Sequence, residues 1–161
     1  MDFYISNKCI DYTEAQLDRS IVSPKQIRLN LEEFKKSIYT DLFPERKVSW
    51  NYIPKTLIFA KDDHHATEIV NIVKEVFGEN FDDNIVPEKF VQKITYSAGD
   101  TDALIREFRI NKEFRIAVTV TLVATGTDVK PLEVVFFMRD VNSDVLYTQM
   151  KGRGCLSLIH I

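Results

Sequence analysis

Asp62, Asp63, His64 and His65 stand in a row, and those side-chain types can bind a metal ion or move a proton. Neighbouring residues on a helix point about 100° apart, so two adjacent histidines rarely reach one ion. A second chemistry for the cluster is a carboxylate-rich D-E-x-H type motif holding magnesium at the end of an apolar strand. That chemistry requires a G-x-x-x-x-G-K-[ST] loop upstream, and the sequence has none. The simplest role for the two aspartates is to cap a helix that starts here. No metal site is therefore expected. Two other polar clusters lie further on. Gly126 and Asp128 sit in Ala124-Thr125-Gly126-Thr127-Asp128, and Arg153 sits in Gln149-Met150-Lys151-Gly152-Arg153-Gly154. Taken alone, these are a turn glycine, a turn or capping acid, and a surface arginine near a helix end.

The elements that must position these clusters follow from apolar spacing. Residues 1 to about 22 show no sustained period and are expected to form an irregular arm. Ser23-Pro24 has the form of a helix N-cap followed by proline at the first helical position. Ile27, Leu31, Phe34, Ile38 and Leu42 then recur at spacings of three and four, predicting an amphipathic helix over about 24–43, ended by Pro44. A polar connector follows to Pro54, with Trp50 and Tyr52 expected to pack on later elements. Thr56–Ala60 is a short apolar run suited to a strand buried on both faces. Ala66, Ile69, Val70, Val73 and Phe77 form the inward stripe of the next helix, closed by Gly78. A loop of about 15 residues leads to a strand at Lys93–Ser97. Gly99-Asp100-Thr101 opens a third helix with Leu104, Ile105 and Phe108 inward. Strands at Arg115–Thr121 and Glu133–Met138 and a helix from near Ser143, carrying Leu146 and Met150, complete the pattern. Alternating strands and helices make this an α/β fold, a parallel sheet with helices on both faces. Ligands of such sheets bind beyond the carboxyl ends of the strands. Lys61–His65, Ser97–Thr101, Thr121–Asp128 and the start of the last helix all fall there.

Bulk properties bound the function only loosely. The 161 residues suit one domain with some attached chain. Lys and Arg number 21 against 24 Asp and Glu, a net of −3, which argues against a protein that coats nucleic acid. It leaves open a few phosphate contacts along one edge. Cys9 and Cys155 are far apart, which suggests neither a disulfide framework nor a zinc site and fits a reducing cytoplasm. No stretch approaches the roughly 18 unbroken apolar residues of a membrane span, and the start lacks the form of a signal peptide.

At this point the residues carry a resemblance. T-L-I-F-A-K-D-D-H-H-A, then K-I-T-Y-S, then F-R-I-A-V-T-V-T-L-V-A-T-G-T-D-V-K-P-L, then Q-M-K-G-R-G resemble, in order, conserved segments of the second RecA-like lobe of superfamily 2 helicases. These correspond to motif IV, the strand and loop before the nucleic-acid-contacting helix, motif V and motif VI. A-T-G-T-D followed by P-L, and F-M-R-D-V before Q-M-K-G-R-G, resemble most the restriction subunit of type I restriction–modification enzymes. The resemblance covers roughly residues 17 to 155.

It implies a connector at 1–54, a second RecA-like lobe at 55–155, and an ATP-dependent translocase acting on the backbone of double-stranded DNA. Arg153 and Gln149 would serve catalysis, and Gly126, Asp128 and Gly152 would approach the nucleotide. Ser97, Gly99, Thr119 and Thr121 would face DNA phosphates through hydroxyl and N–H groups, a grip indifferent to sequence. ATP and Mg2+ would be held mainly by a first lobe outside this chain, and methylation and specificity subunits would be further partners. The alternatives are the lobe of another superfamily 2 DNA or RNA helicase, and a freestanding binding module. The family's motif VI runs Q-x-x-G-R-x-x-R, yet Leu156 stands where its second arginine belongs. Residues 156–161 are accordingly expected to be a non-native tail on a truncated fragment.

Overall fold

The structure is a computed structural model that describes residues 2–5, 8–11, 23–83, 85–95, 100–120, 132–138 and 157–160. Seven short strands form one sheet in the order β2-β1-β7-β6-β3-β5-β4. They are β1 (Asp2–Ile5), β2 (Lys8–Asp11), β3 (Thr56–Phe59), β4 (Val91–Lys93), β5 (Ile116–Thr119), β6 (Val134–Phe137) and β7 (Ser157–His160). β6, β3, β5 and β4 are parallel neighbours, with Leu57 of β3 opposite Ala117 of β5 and Val135 of β6. β7 adds in parallel to β6, and β1 and β2 continue the sheet as antiparallel strands. The parallel α/β sheet expected from the sequence is present.

The central strands are buried on both faces, so their side chains divide between two cores. Ile58, Ile116, Val118, Val134 and Phe136 join the larger one, beneath α1 (Pro24–Ser37) and α2 (Asp63–Phe77). Leu57, Phe59, Ala117 and Val135 point the other way, to α3 (Thr101–Ile110). Alternation of side chains along a strand makes this division automatic. Phe34 of α1 lies 5.3 Å from Phe136 and 6.4 Å from Phe77, tying both helices to the sheet. On the opposite face Phe108 and Phe114 meet at 4.9 Å.

Local rules account for most element boundaries. Ser23 caps α1 by accepting from the Gln26 amide at 3.2 Å, with Pro24 at the first turn. The helix changes character after Ser37: Ile38–Leu42 is a π turn, closed by the Phe43 amide on the Ile38 carbonyl at 2.8 Å. The wider turn leaves Ile38 and Leu42 buried on the same core before Pro44 ends the helix. Gly78 does not take a left-handed cap; its φ of −55° and ψ of −35° run α2 on into a 3-10 turn at Gly78–Asn80.

Two segments differ from the expectation drawn from spacing. The arm contains the strands β1 and β2, whose four-residue lengths are too short to give a readable period. β4 begins at Val91 rather than Lys93, because Phe90 anchors the start: its ring is buried and its carbonyl accepts from the amides of Arg115 and Ile116. The ladder reaches Ile94, whose amide donates to Val118 at 2.7 Å. The long loop before β4 packs on its own aromatics. Phe81 stacks on Trp50 at 5.8 Å and meets Phe90 edge-on at 5.3 Å. Ser157–His160, inside the expected tail, occupies the β7 position beside β6. The helix expected from near Ser143 lies outside the described residues.

Candidate functional site

The carboxyl ends of β3, β4, β5 and β6 open on one edge of the sheet. β3 leads through Lys61 into α2, whose N-cap Asp62 accepts from the His65 amide at 2.7 Å. α3 starts from the same edge, capped by Asp100 on the Ala103 amide at 3.1 Å. Of the two aspartates that the sequence offered as caps of α2, Asp62 is the cap and Asp63 is not, and α3 opens at Asp100 within the expected Gly99-Asp100-Thr101. Asp62→Ala is expected to cost about 1 kcal/mol of stability, read as a lower urea midpoint at unchanged slope. An unchanged midpoint would show that the cap contributes nothing.

The two histidines diverge. His64 is exposed and lies 3.5 Å from Glu68, one turn along α2. His65 is fully buried, and its Nδ1 accepts from the Lys61 amide at 2.9 Å, which fastens the β3–α2 turn. Among the described residues no group of three or more His, Cys, Asp or Glu is placed to hold a metal ion. Asp62 is occupied by its cap. Asp63 accepts from Thr95 Oγ1 at 2.8 Å and from Lys93 Nζ at 3.0 Å.

Two helix N-termini aimed at one edge favour an anion there, through unpaired N–H groups and the helix dipoles. Among the described residues on this part of the edge, Asp62, Asp63, Asp100 and Asp102 nonetheless outnumber Lys61 and Lys93. Ser97, Gly99, Thr121, Gly126, Asp128, Gln149, Gly152 and Arg153 lie outside the described residues. Thr119 is described: it ends β5, its carbonyl accepts from the Ala60 amide at 2.7 Å, and it is 1% exposed.

The opposite edge carries features that sequence reasoning missed. Lys55, just before β3, is 5% exposed, and its Nζ donates to the carbonyls of Phe108 at 2.5 Å, Asn111 at 2.7 Å and Phe114. The ammonium also lies 4.7 Å from the centre of the Phe108 ring. Burial, with a smaller push from Arg115, lowers its pKa to about 8. Arg46 pairs with Glu133, bonding Oε2 at 3.2 Å, and so ties the connector to β6. A cleft of about 450 Å³ beside Trp50 and Phe81 is walled by Asp82 and Asp83, a poor lining for phosphate. None of these groups belongs to a recognisable motif, and the partners are far apart in sequence.

Comparison with known proteins places this geometry. The chain is 30% identical over 156 residues to the endonuclease subunit of the type I restriction enzyme EcoKI of Escherichia coli (strain K12), covering 89% of this chain. It spans 12% of that relative's length. The fragment structure of an HsdR subunit of a type I restriction enzyme from Vibrio vulnificus YJ016 matches with a TM-score of 0.63 at 20% identity, over 92% of this chain and 30% of that one. Domain 2 of the DEAD-box helicase Mss116p, in a structure bound to an RNA duplex, matches at 0.61 and 19% identity, over 86% and 50% of the two chains. The helicase domain of Hef from Pyrococcus furiosus matches at 0.52 and 20%, over 81% and 25%. No family model matches the chain. No helix among the described residues is long and apolar enough to cross a membrane.

Proposed function

We propose that this chain is the second RecA-like lobe of the motor in a type I restriction endonuclease subunit, a DNA translocase driven by ATP. The observation that carries this reading is the sequence likeness to such a subunit along almost the whole chain. The helicase-type fold supports it. The resemblance assigns Arg153 and Gln149 to catalysis and brings Gly126, Asp128 and Gly152 close to the nucleotide. Phosphoryl transfer needs positive charge at the γ-phosphate, and Arg153 is the group that supplies it from this side.

Ser97, Gly99, Thr121 and Thr119 are the assigned contacts to the DNA backbone. Thr119 is the one that burial weighs against. Magnesium and most of the nucleotide belong to a first lobe carrying the phosphate-cradling loop that this sequence lacks. Double-stranded DNA, that first lobe, and methylation and specificity subunits are the partners of the reading, and the cytoplasm is its compartment.

The isolated chain should then show no DNA-stimulated ATP hydrolysis, and joining it to its first lobe should create that activity. Steady-state phosphate release with and without duplex DNA checks this. Turnover by the isolated chain at motor rates, lost with Arg153→Ala, would overturn the division of labour between lobes. Stimulation of the joined protein by RNA alone would move the chain to another helicase group. Tight binding of ATP or DNA by the chain alone, without any ATPase in the joined protein, would make it a binding module.

A further inference from the structure

We propose that Asp63 is a positioning residue of the carboxyl edge, holding the exits of β3 and β4 in the one arrangement on which the grip on DNA depends. The proposal rests on reading the chain as a motor lobe. Asp63 sits in the first turn of α2, and its carboxylate accepts from Thr95 Oγ1 at 2.8 Å and from Lys93 Nζ at 3.0 Å. Lys93 Nζ also reaches Thr67 Oγ1 at 3.2 Å, and the Thr67 hydroxyl donates back to the Asp63 carbonyl at 3.1 Å. A closed set of bonds thus joins one turn of α2 to the end of β4.

β4 needs such a tether. It is three residues long and, among the described strands, lies at the end of the sheet order beside β5. The Ile94 amide makes the last described ladder bond to β5, and the side chains of Lys93 and Thr95 on either side of it join this stretch to α2. Thr95 is nearly buried, whereas Asp63 keeps about half of its side chain in solvent. A half-solvated ion pair adds little to global stability. Asp62, not Asp63, caps α2, so the cap bond survives loss of the Asp63 carboxylate. An interaction that contributes little to folding but restricts one strand exit acts on geometry. That exit runs toward Ser97 and Gly99, and α3 begins just after them at Thr101.

The test uses the full-length protein carrying Asp63→Ala, Asp63→Glu or Lys93→Met. Asp63→Ala should raise the DNA concentration for half-maximal ATPase about tenfold, with kcat at saturating DNA within about twofold of wild type. Amide exchange at Ile94 and Thr95 should quicken, and Asp63→Glu should restore most of the DNA affinity. Lys93→Met should shift DNA dependence in the same direction as Asp63→Ala. Wild-type DNA dependence in Asp63→Ala, even with faster exchange, would overturn the proposal while leaving the motor reading intact. A lowered melting point with equal losses in kcat and DNA affinity, not rescued by glutamate, would also overturn it, as general destabilisation. A wild-type ATPase that DNA does not stimulate would sink the motor reading, and this proposal with it.

Discussion

In the intact two-lobe protein, Arg153→Ala is expected to lower DNA-stimulated ATP hydrolysis by at least about a hundredfold while leaving DNA affinity within about threefold. The transferred phosphoryl group carries charge that no bond within the protein can absorb, so catalysis depends on cations placed around it. An arginine delivered from a facing lobe typically contributes ~10³–10⁵ in rate. The described edge makes the dependence sharper, since Asp62, Asp63, Asp100 and Asp102 there outnumber Lys61 and Lys93. Arg153→Lys keeps the charge but loses the planar fork of donors, and it should recover only a small part of the rate. Steady-state ATPase at saturating DNA, beside a binding isotherm for the same duplex, separates the two effects. An unchanged rate would return Arg153 to the role of a surface cation, and a rate lost together with DNA binding would move it to the DNA side.

How much of this was legible in the sequence depends on the range of the interaction concerned. The starts of the three described helices were, because Ser23, Asp62 and Asp100 act on amides three residues away, although the sequence did not separate Asp62 from Asp63. The double-sided burial of β3 was, because an unbroken apolar run allows little else. β1 and β2 were not, since four residues are too few to show alternation. The start of β4 was misplaced because Ile94, Thr95 and their neighbours look as strand-like as Val91, and only the Phe90 carbonyl in its pairing with β5 decides the register. The tether from Asp63 crosses 30 residues to Lys93 and 32 to Thr95, and no local pattern encodes it. Arg153 is the reverse case. Residue physics alone makes it an ordinary surface arginine, and the chemical role proposed for it comes only from its place in an ordered set of resembling segments.

Lys55→Met should destabilise the chain by about 2–3 kcal/mol, although methionine fits the apolar stem and removes a buried charge. Three carbonyls converge on the ammonium, from Phe108 and Asn111 at the end of α3 and from Phe114 before β5. Losing the donor leaves these acceptors without it in a site 5% open to water, at a cost on the order of 1–3 kcal/mol for each one left bare. Against that stands the relief of desolvating the charge, which the pKa of about 8 reflects. The unfolded chain holds this proton up to its ordinary value of 10.5, whereas the folded chain releases it near 8. Between those values the unfolded state binds more protons, so this lysine's contribution to stability rises with pH. Below about 8 both states are charged and the penalty of burying the charge is fully present. The stability gap between wild type and Lys55→Met should therefore widen from pH 8 toward pH 10, by at most about 1.4 kcal/mol per pH unit. Urea unfolding of both proteins across that range measures it. A constant gap would mean that the carbonyls and aromatic rings hold the ammonium charged throughout. A variant as stable as wild type would mean that the carbonyls find other donors, and that α3 is fixed to the sheet by Phe108 and Phe114 alone.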